Sequence, residues 1–551
     1  MRYILILVFL SLILFAKESQ TCYSVQLASF YKDTSGYTNI SRYPETCELM
    51  NVANLKAVRC GCYESRTDGI VELKSLRKKY RSATLVRTYK FRFKKTPFTS
   101  YGERKVAKKE IVEDTTAKVE ESTLSEKEEE EQSADEYVSV EDVESGFFKD
   151  AEFNVQGHVD LNGQRYLNKP DGKHASNTLA SARLEFDFKK DNLNVIASIY
   201  AQQDYFDTKG SSEQNKRSFI RLDELYATYD FEEDQIMAGK SIRFWGALEL
   251  KNIVDVFNPQ DLRSDPFKDD KLGVWNTAYT HYTDSGEFSV IVKVNEQNRK
   301  MSSYPYVYYY FPANVSYDET IKTEDGRNRP SIYIKYSGST DTEYALDYSI
   351  IFENGYDSQR YFKVDGLGGF KENAYIVNKL MTYNTLVVGS TLIKFEGVYT
   401  DVKDTQSIPT KTGNKSISDY YHIGFGIEHT LSQVHKDADL GLIAEYYKYG
   451  TVESSNDHLN DLELFEALQN DLFLGMRYSF NEGNDASIVG GVIFDLDYDE
   501  QAYYIEYESR INDMFKLNLD YRYIEPSDND LTVYNLLERH QRISINLGYY
   551  F

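Results

Sequence analysis

After Phe15, no apolar run of this 551-residue chain approaches the ~20 residues that a membrane-spanning helix needs. Helical membrane proteins are excluded on that ground. Basic charge is also short: 63 Lys and Arg stand against 87 Asp and Glu, a formal net charge of −24. Nucleic-acid binders carry the opposite balance, so we expect no nucleic-acid partner. The chain lacks Gly-x-Ser-x-Gly, His-Glu-x-x-His and any glycine loop of phosphate-cradling spacing. Its only His-x-Ser, His174-Ala175-Ser176, has no partner at a strand-adjacent spacing. We read no enzyme, no catalytic residue, no metal site and no cofactor. What the chain has is tyrosine, 47 of them beside 30 Phe. A transmembrane β-barrel has this kind of composition, because lipid-facing apolar and lumen-facing polar residues alternate and average out as polar.

The N-terminus has the layout of a secretory signal peptide over residues 1–16. Arg2 supplies a positive charge, an apolar run follows to Phe15, and Ala16 precedes the charged Lys17-Glu18. Cys22 follows Ser-Gln-Thr, which lacks the apolar and small residues of a lipoprotein signal, so lipid anchoring is not expected. Composition then divides the rest into three segments. Residues 17–93 are basic and hold every cysteine. Residues 94–147 are acidic, and their part 110–144 holds 15 Asp and Glu against 2 Lys, with the run Glu128-Glu129-Glu130-Glu131 and almost nothing bulky and apolar. Such a stretch cannot bury enough surface to offset its ordering entropy, and reads as a self-repelling, disordered linker. Residues 148–551 are tyrosine-rich and alternating.

The four cysteines, Cys22, Cys47, Cys60 and Cys62, cluster in one small exported segment and read as a disulfide framework. Cys60 and Cys62 lie two apart on an apparent strand. They would share a face without bridging each other easily, so Cys22 and Cys47 would each take one of them. Free thiols and a zinc site stay open as alternatives, although Cys-x-Cys lacks the usual zinc spacing and no histidine is near. The periodicity of this segment predicts strands at 23–30, 57–63 and 84–93, with helices at 45–52 and about 70–80. Tyr-Ser-Val-Gln-Leu-Ala-Ser-Phe at 23–30 and Val-Arg-Cys-Gly-Cys-Tyr at 58–63 resemble the sporulation-related repeat (SPOR) domain, over roughly residues 22–93. The resemblance implies a small α+β fold with a four-stranded sheet whose face binds peptidoglycan. Carried over, Gln26, Ser29 and Arg59 would be polar contacts, with Phe30 and Tyr63 nearby. Cys62 stands where that family often has proline, and the two aromatics suit a core equally well.

The last segment carries the strongest pattern. Phe515, Leu517, Leu519, Tyr521 and Tyr523 alternate with Lys516, Asn518, Asp520 and Arg522, a strand with one apolar and one polar face. Segments around 180–188, 472–480 and 543–551 repeat it, the last ending on Phe551 in the manner of outer-membrane barrel insertion signals. Candidate strands begin near 152, 178, 192, 218, 234, 274, 286, 330, 342, 374, 391, 419, 438, 470, 486, 501, 515 and 541. Their connections alternate between tight, as at 189–192 and 389–390, and long, as at 245–273 and 296–329. The connection near 497–500 breaks this rule. A soluble sandwich would alternate too, but an all-β transmembrane barrel of about 18 antiparallel strands explains the loop lengths as well, or 16 if the pair at 374–401 is misread.

Both charge signs occupy inward positions, among them Arg183, Glu185, Arg477, Asp495, Asp497, Glu506 and Arg522, so the lumen should be wet. The connection from Arg243 to Arg263 is apolar and ordered-looking for a loop, and resembles a segment of large porin-like barrels. Folded inward, it would form a constriction with Arg243, Asp255, Asp261 and Arg263. Tyr304, Tyr306, Tyr308, Tyr309, Tyr310 and Phe311 form an aromatic run that would stack on flat ligands or extend a strand. The reading is an outer-membrane, porin-like channel for small hydrophilic solutes, tethered to peptidoglycan by a periplasmic N-terminal domain. Its partners would be outer-membrane lipid, peptidoglycan and the solute, with a homotrimer open to it. The alternative is a tether whose barrel is only an anchor.

Overall fold

The computed structural model describes residues 21–31, 43–44, 46–52, 55–63, 66–77, 79–80, 83–89 and 151–551. Within the last range it leaves out 169–174, 206–215, 264, 266–267, 269, 303–306, 308, 310–315, 341–343, 365–368, 404–406, 411–412, 454–457, 462–465, 482–483 and 528–531. The signal-peptide and linker readings, His174 and most of the 304–311 aromatic run lie outside the described residues. The chain divides into two compact units, 17–152 and 153–551.

The first unit is a four-stranded antiparallel sheet of β1 (Thr21–Tyr31), β2 (Cys47–Val52), β3 (Leu55–Tyr63) and β4 (Thr84–Tyr89), in the order β2-β3-β1-β4. Helix α1 (Arg66–Leu76) packs Leu73 against Val25, Val58 and Cys60. The sequence suggested a helix at 45–52, and the structure has the edge strand β2 there. Glu, Leu and Met favour helices in isolation. Pairing along β3 outweighs that preference, with Cys47 opposite Cys60 and Val52 opposite Leu55. The cysteines pair as Cys22–Cys62 and Cys47–Cys60. Contrary to the period-2 expectation, Cys60 and Cys62 do not share a face. The β1–β3 register slips between Tyr23 and Val25, opposite Gly61, whose φ of +66° only glycine adopts without strain. That bulge sends Cys60 into the helix-side core and Cys62 to the other face, with Cys22 and Met50.

The second unit is a closed barrel. Its first seven strands are β5 (Glu152–Tyr166), β6 (Ser176–Lys190), β7 (Leu193–Asp204), β8 (Phe219–Asp230), β9 (Asp234–Ser241), β10 (Val274–Tyr282) and β11 (Gly286–Lys293). A connection strand, β12 (Ser316–Thr323), precedes the wall strands β13 (Ser331–Ser339) and β14 (Ala345–Tyr356). Connection strands β15 (Tyr361–Val364) and β16 (Gly369–Ala374) join β12 in a separate small sheet. The wall continues with β17 (Ile376–Val388) and β18 (Thr391–Val402), and a short hairpin of β19 (Ile408–Thr410) and β20 (Gly413–Lys415) follows. The remaining wall strands are β21 (Tyr420–His435), β22 (Ala438–Thr451), β23 (Asn470–Ser479), β24 (Ser487–Asp495), β25 (Gln501–Arg510), β26 (Phe515–Glu525) and β27 (Arg542–Tyr550). Each wall strand is hydrogen-bonded to its sequence neighbours in the wall, and β27 closes on β5. The ring has 18 strands, with the pair at 374–401 among them, and the described residues of this unit close into a barrel rather than a sandwich. Short turns gather at one rim and long connections at the other. The 496–500 connection is the short one on the long side, and Asp497 belongs to it rather than to the lumen wall. The start of β5 and the end of β27 both fall at the short-turn rim.

The barrel is apolar outside and polar inside. Phe153, Val159 and Leu161 on β5, Ile350 and Phe352 on β14, and Ile543, Ile545 and Leu547 on β27 are exposed on the outer surface. Lys379, Glu396, Glu445 and Arg542 are buried within. No helix of the described residues is long and apolar enough to cross a membrane.

Candidate functional site

The connection between β9 and β10, residues 242–273, reaches wall strands far around the ring. Glu396 of β18 accepts hydrogen bonds at Oε1 from the backbone N–H of Ala247 and of Leu248 (3.0 Å). Its Oε2 accepts from Ile253 (2.7 Å) and Val254 (3.3 Å). Glu445 of β22 accepts from Glu249 (2.7 Å) and Leu250 (2.9 Å), and the Tyr447 hydroxyl from Lys251 (3.1 Å). Two wall carboxylates and a phenol thus satisfy the N–H groups of seven loop residues that pair with no strand, which is what lets irregular backbone lie inside a barrel. Gly424 and Gly426 of β21 make room for Leu248, because a Cβ on either would lie within 3 Å of its methyl groups. Arg477 pairs with Glu249, and Lys251 with Glu466. The loop therefore folds inward.

Its apolar side chains pack on the wall. Trp245, Phe257 and Tyr333 meet with ring centroids 5.1–5.6 Å apart, and Ile291, Ile351, Met381 and Val398 complete the cluster. The four residues proposed from the sequence for a constriction all sit in or at the ends of this loop, but in separate places. Arg243 donates to the Asn276 side chain (3.0 Å) and lies over the Phe257 ring. Burial pushes its guanidinium down to about 10, so it stays charged at neutral pH. Asp255 is buried in a pair with Lys271. Asp261 and Arg263 come together, Arg263 Nε donating to Asp261 Oδ1 at 2.8 Å, with Arg221 of β8 on the same carboxylate. Burial works to raise the Asp261 carboxyl, but the hydrogen bonds and charge of Arg263, with Arg221, hold it below the usual carboxylate range. Farther along, Asp265 pairs with Arg542 of β27. The four residues hold the loop to itself and to the wall. Sequence reasoning missed Glu396, Glu445, Arg221, Lys271 and Arg542. An inward carboxylate amid apolar neighbours in a strand, as at Glu396 before Val398, was the available signal, but its partner is fixed only by the ring.

In the first unit, Arg59 Nε donates to Gln26 Oε1 at 3.1 Å. Gln26, Arg59 and Glu48 are register partners on three adjacent strands and form a polar row on the face away from α1. Tyr63 is fully buried and serves packing. The side chains of Ser29 and Phe30 lie outside the described residues.

The sequence matches no protein-family model and no curated protein. Among solved structures it is similar to a BenF-like porin from Pseudomonas fluorescens Pf-5, at 8% identity and a TM-score of 0.45, over 74% of this chain and 99% of that one. It is similar to Pseudomonas aeruginosa OpdK, solved with vanillate, at 9% identity and a TM-score of 0.42, over 74% and 100%. The corresponding figures for Salmonella typhi OmpF in complex with daunomycin are 11%, 0.38, 72% and 97%.

Proposed function

We propose that this chain is an outer-membrane channel for small hydrophilic solutes, whose N-terminal unit binds peptidoglycan in the periplasm. The observation that carries the reading is the inverted wall, apolar outside and charged inside, around a lumen that holds a pinned loop. A closed barrel with an apolar outer surface this extensive is built for lipid rather than water. A mere anchor needs neither a ring of this size nor seven loop N–H groups fixed on wall side chains; a narrowed aqueous path uses both. Arg243, Asp255, Asp261 and Arg263 then set the constriction by fixing the loop. The basic balance of residues 17–93 and the Gln26–Arg59–Glu48 row support wall binding.

Vesicles loaded with the full chain should swell in isosmotic small sugars and not in large dextrans; absence of swelling with a folded, inserted barrel rules the channel out. The full chain should co-sediment with purified peptidoglycan, and replacing Gln26 and Arg59 by Ala should weaken this several-fold while swelling persists. A chain that never sediments with intact or peptide-stripped glycan has no tether role, and the channel reading then stands alone.

A further inference from the structure

The inward side chains of the wall fall into two sectors. From β11 to β22 those at the level of the inward loop are buried, as Ile291, Ile351, Met381, Val398 and Tyr447 illustrate. The charges of that sector are held in pairs, such as Lys379 with Asp357 at 2.6 Å and Lys394 with Glu428 at 2.9 Å, or by the loop's N–H groups, as at Glu396 and Glu445. The inward loop packs on this sector through Trp245, Leu248 and Phe257. Around the rest of the ring many inward positions stay half-buried. On β5, Asn154, Gln156, Asp160, Asn162 and Gln164 alternate with outward apolar residues and keep part of their surface accessible. Asn194 on β7, Asn518 on β26 and Asn546 on β27 are half-buried as well. Side chains that point into a closed ring keep surface only where water stands beside them.

We infer that the aqueous passage runs off-axis, along the half-buried inward row of β5 and beside the points where the loop is tied to β8 and β27, and that the amides of this row take uncharged, polyhydroxylated solutes. Amide side chains both donate and accept, so they can exchange hydrogen bonds with hydroxyl groups in either sense. Some of the charges beside them are paired, Lys516 with Glu508 at 2.8 Å and Arg183 with Asp223 at 3.0 Å, and Glu185 is held by the Gln156 amide at 2.8 Å. A row of this kind lowers the cost of stripping water from a sugar. The inference rests on the channel reading for its solute class, and on burial alone for its location.

The test uses the full chain in vesicles, where every cysteine is engaged in a disulfide and gives no background. Asn162→Cys and Gln164→Cys face the proposed passage, and Val398→Cys and Met381→Cys face the sealed sector. The two members of each pair guard against a variant that fails to fold. A small cationic thiosulfonate should modify the first pair at least tenfold faster than the second. Equal rates, or faster reaction in the sealed sector, overturn the location. Modification at Asn162→Cys should also slow the uptake of a neutral disaccharide several-fold, and unmodified protein should pass that sugar faster than a sugar acid of similar size. The opposite order overturns the solute class. If no solute passes at all, the channel reading and the solute class fall together, and the modification rates still decide the location.

Discussion

Asp261 has Arg263 and Arg221 both on one buried carboxylate. A carboxyl held below its unfolded value stabilises the fold at every pH above the unfolded pKa of about 3.9, and that contribution is lost as pH falls through the lower folded value. Asp261→Asn should therefore cost about 3 kcal/mol at neutral pH by taking the carboxylate from Arg263 and leaving Arg221 with Asp223 alone. The difference from the unaltered chain should shrink once pH drops below that of the folded carboxyl. Thermal unfolding followed by circular dichroism from pH 7 down to pH 2 checks this; a constant difference across the range contradicts it. Residue types in this region were legible from sequence, but pairings were not. Arg243, Asp255, Asp261 and Arg263 stand out as charges in an apolar loop, while nothing local marks Lys271 and Arg542 as the partners of Asp255 and Asp265.

The inward loop shows how an element's position can rest on very few side chains. Glu396 accepts four of the loop's N–H groups. In Glu396→Gln the amide oxygen can serve about two of them and the NH₂ group faces donors, so roughly two N–H groups lose their partner at about 1–3 kcal/mol each. The barrel should still fold, with its heat-modifiable migration unchanged, while the loop loosens. Unitary current should rise and become noisier; currents identical to those of the unaltered chain would show that Glu396 does not position the loop. Element boundaries in the wall were readable because lipid and lumen impose a strict period of two, and all eighteen expected strand starts fall within three residues of those observed. The small unit obeyed no such outside constraint. There β2 and the Gly61 bulge were set by pairing with β3 and by the disulfides, so local preference at 45–52 misled.

At the scale of the whole molecule, the inverted wall makes a prediction about substitutions that sequence alone would treat as equivalent. Ile545 lies at the middle of β27 and faces outward, whereas Gln164 of β5 faces the lumen. Ile545→Arg should cost roughly 2–4 kcal/mol in bilayers, and Gln164→Lys close to nothing. Urea unfolding in phospholipid vesicles, followed by tryptophan emission, compares the two. Equal losses would mean that the outer face is not in lipid. The fold class was legible because alternation, loop lengths and tyrosine content all agree with a barrel; the division of its lumen was not, since nothing local marks which wall sector the loop will cover. The most direct test of the central claim is single-channel recording of the full chain in a planar bilayer. The account predicts discrete, reproducible current steps that scale with salt concentration. A folded, inserted barrel that shows no conductance in any salt would contradict it.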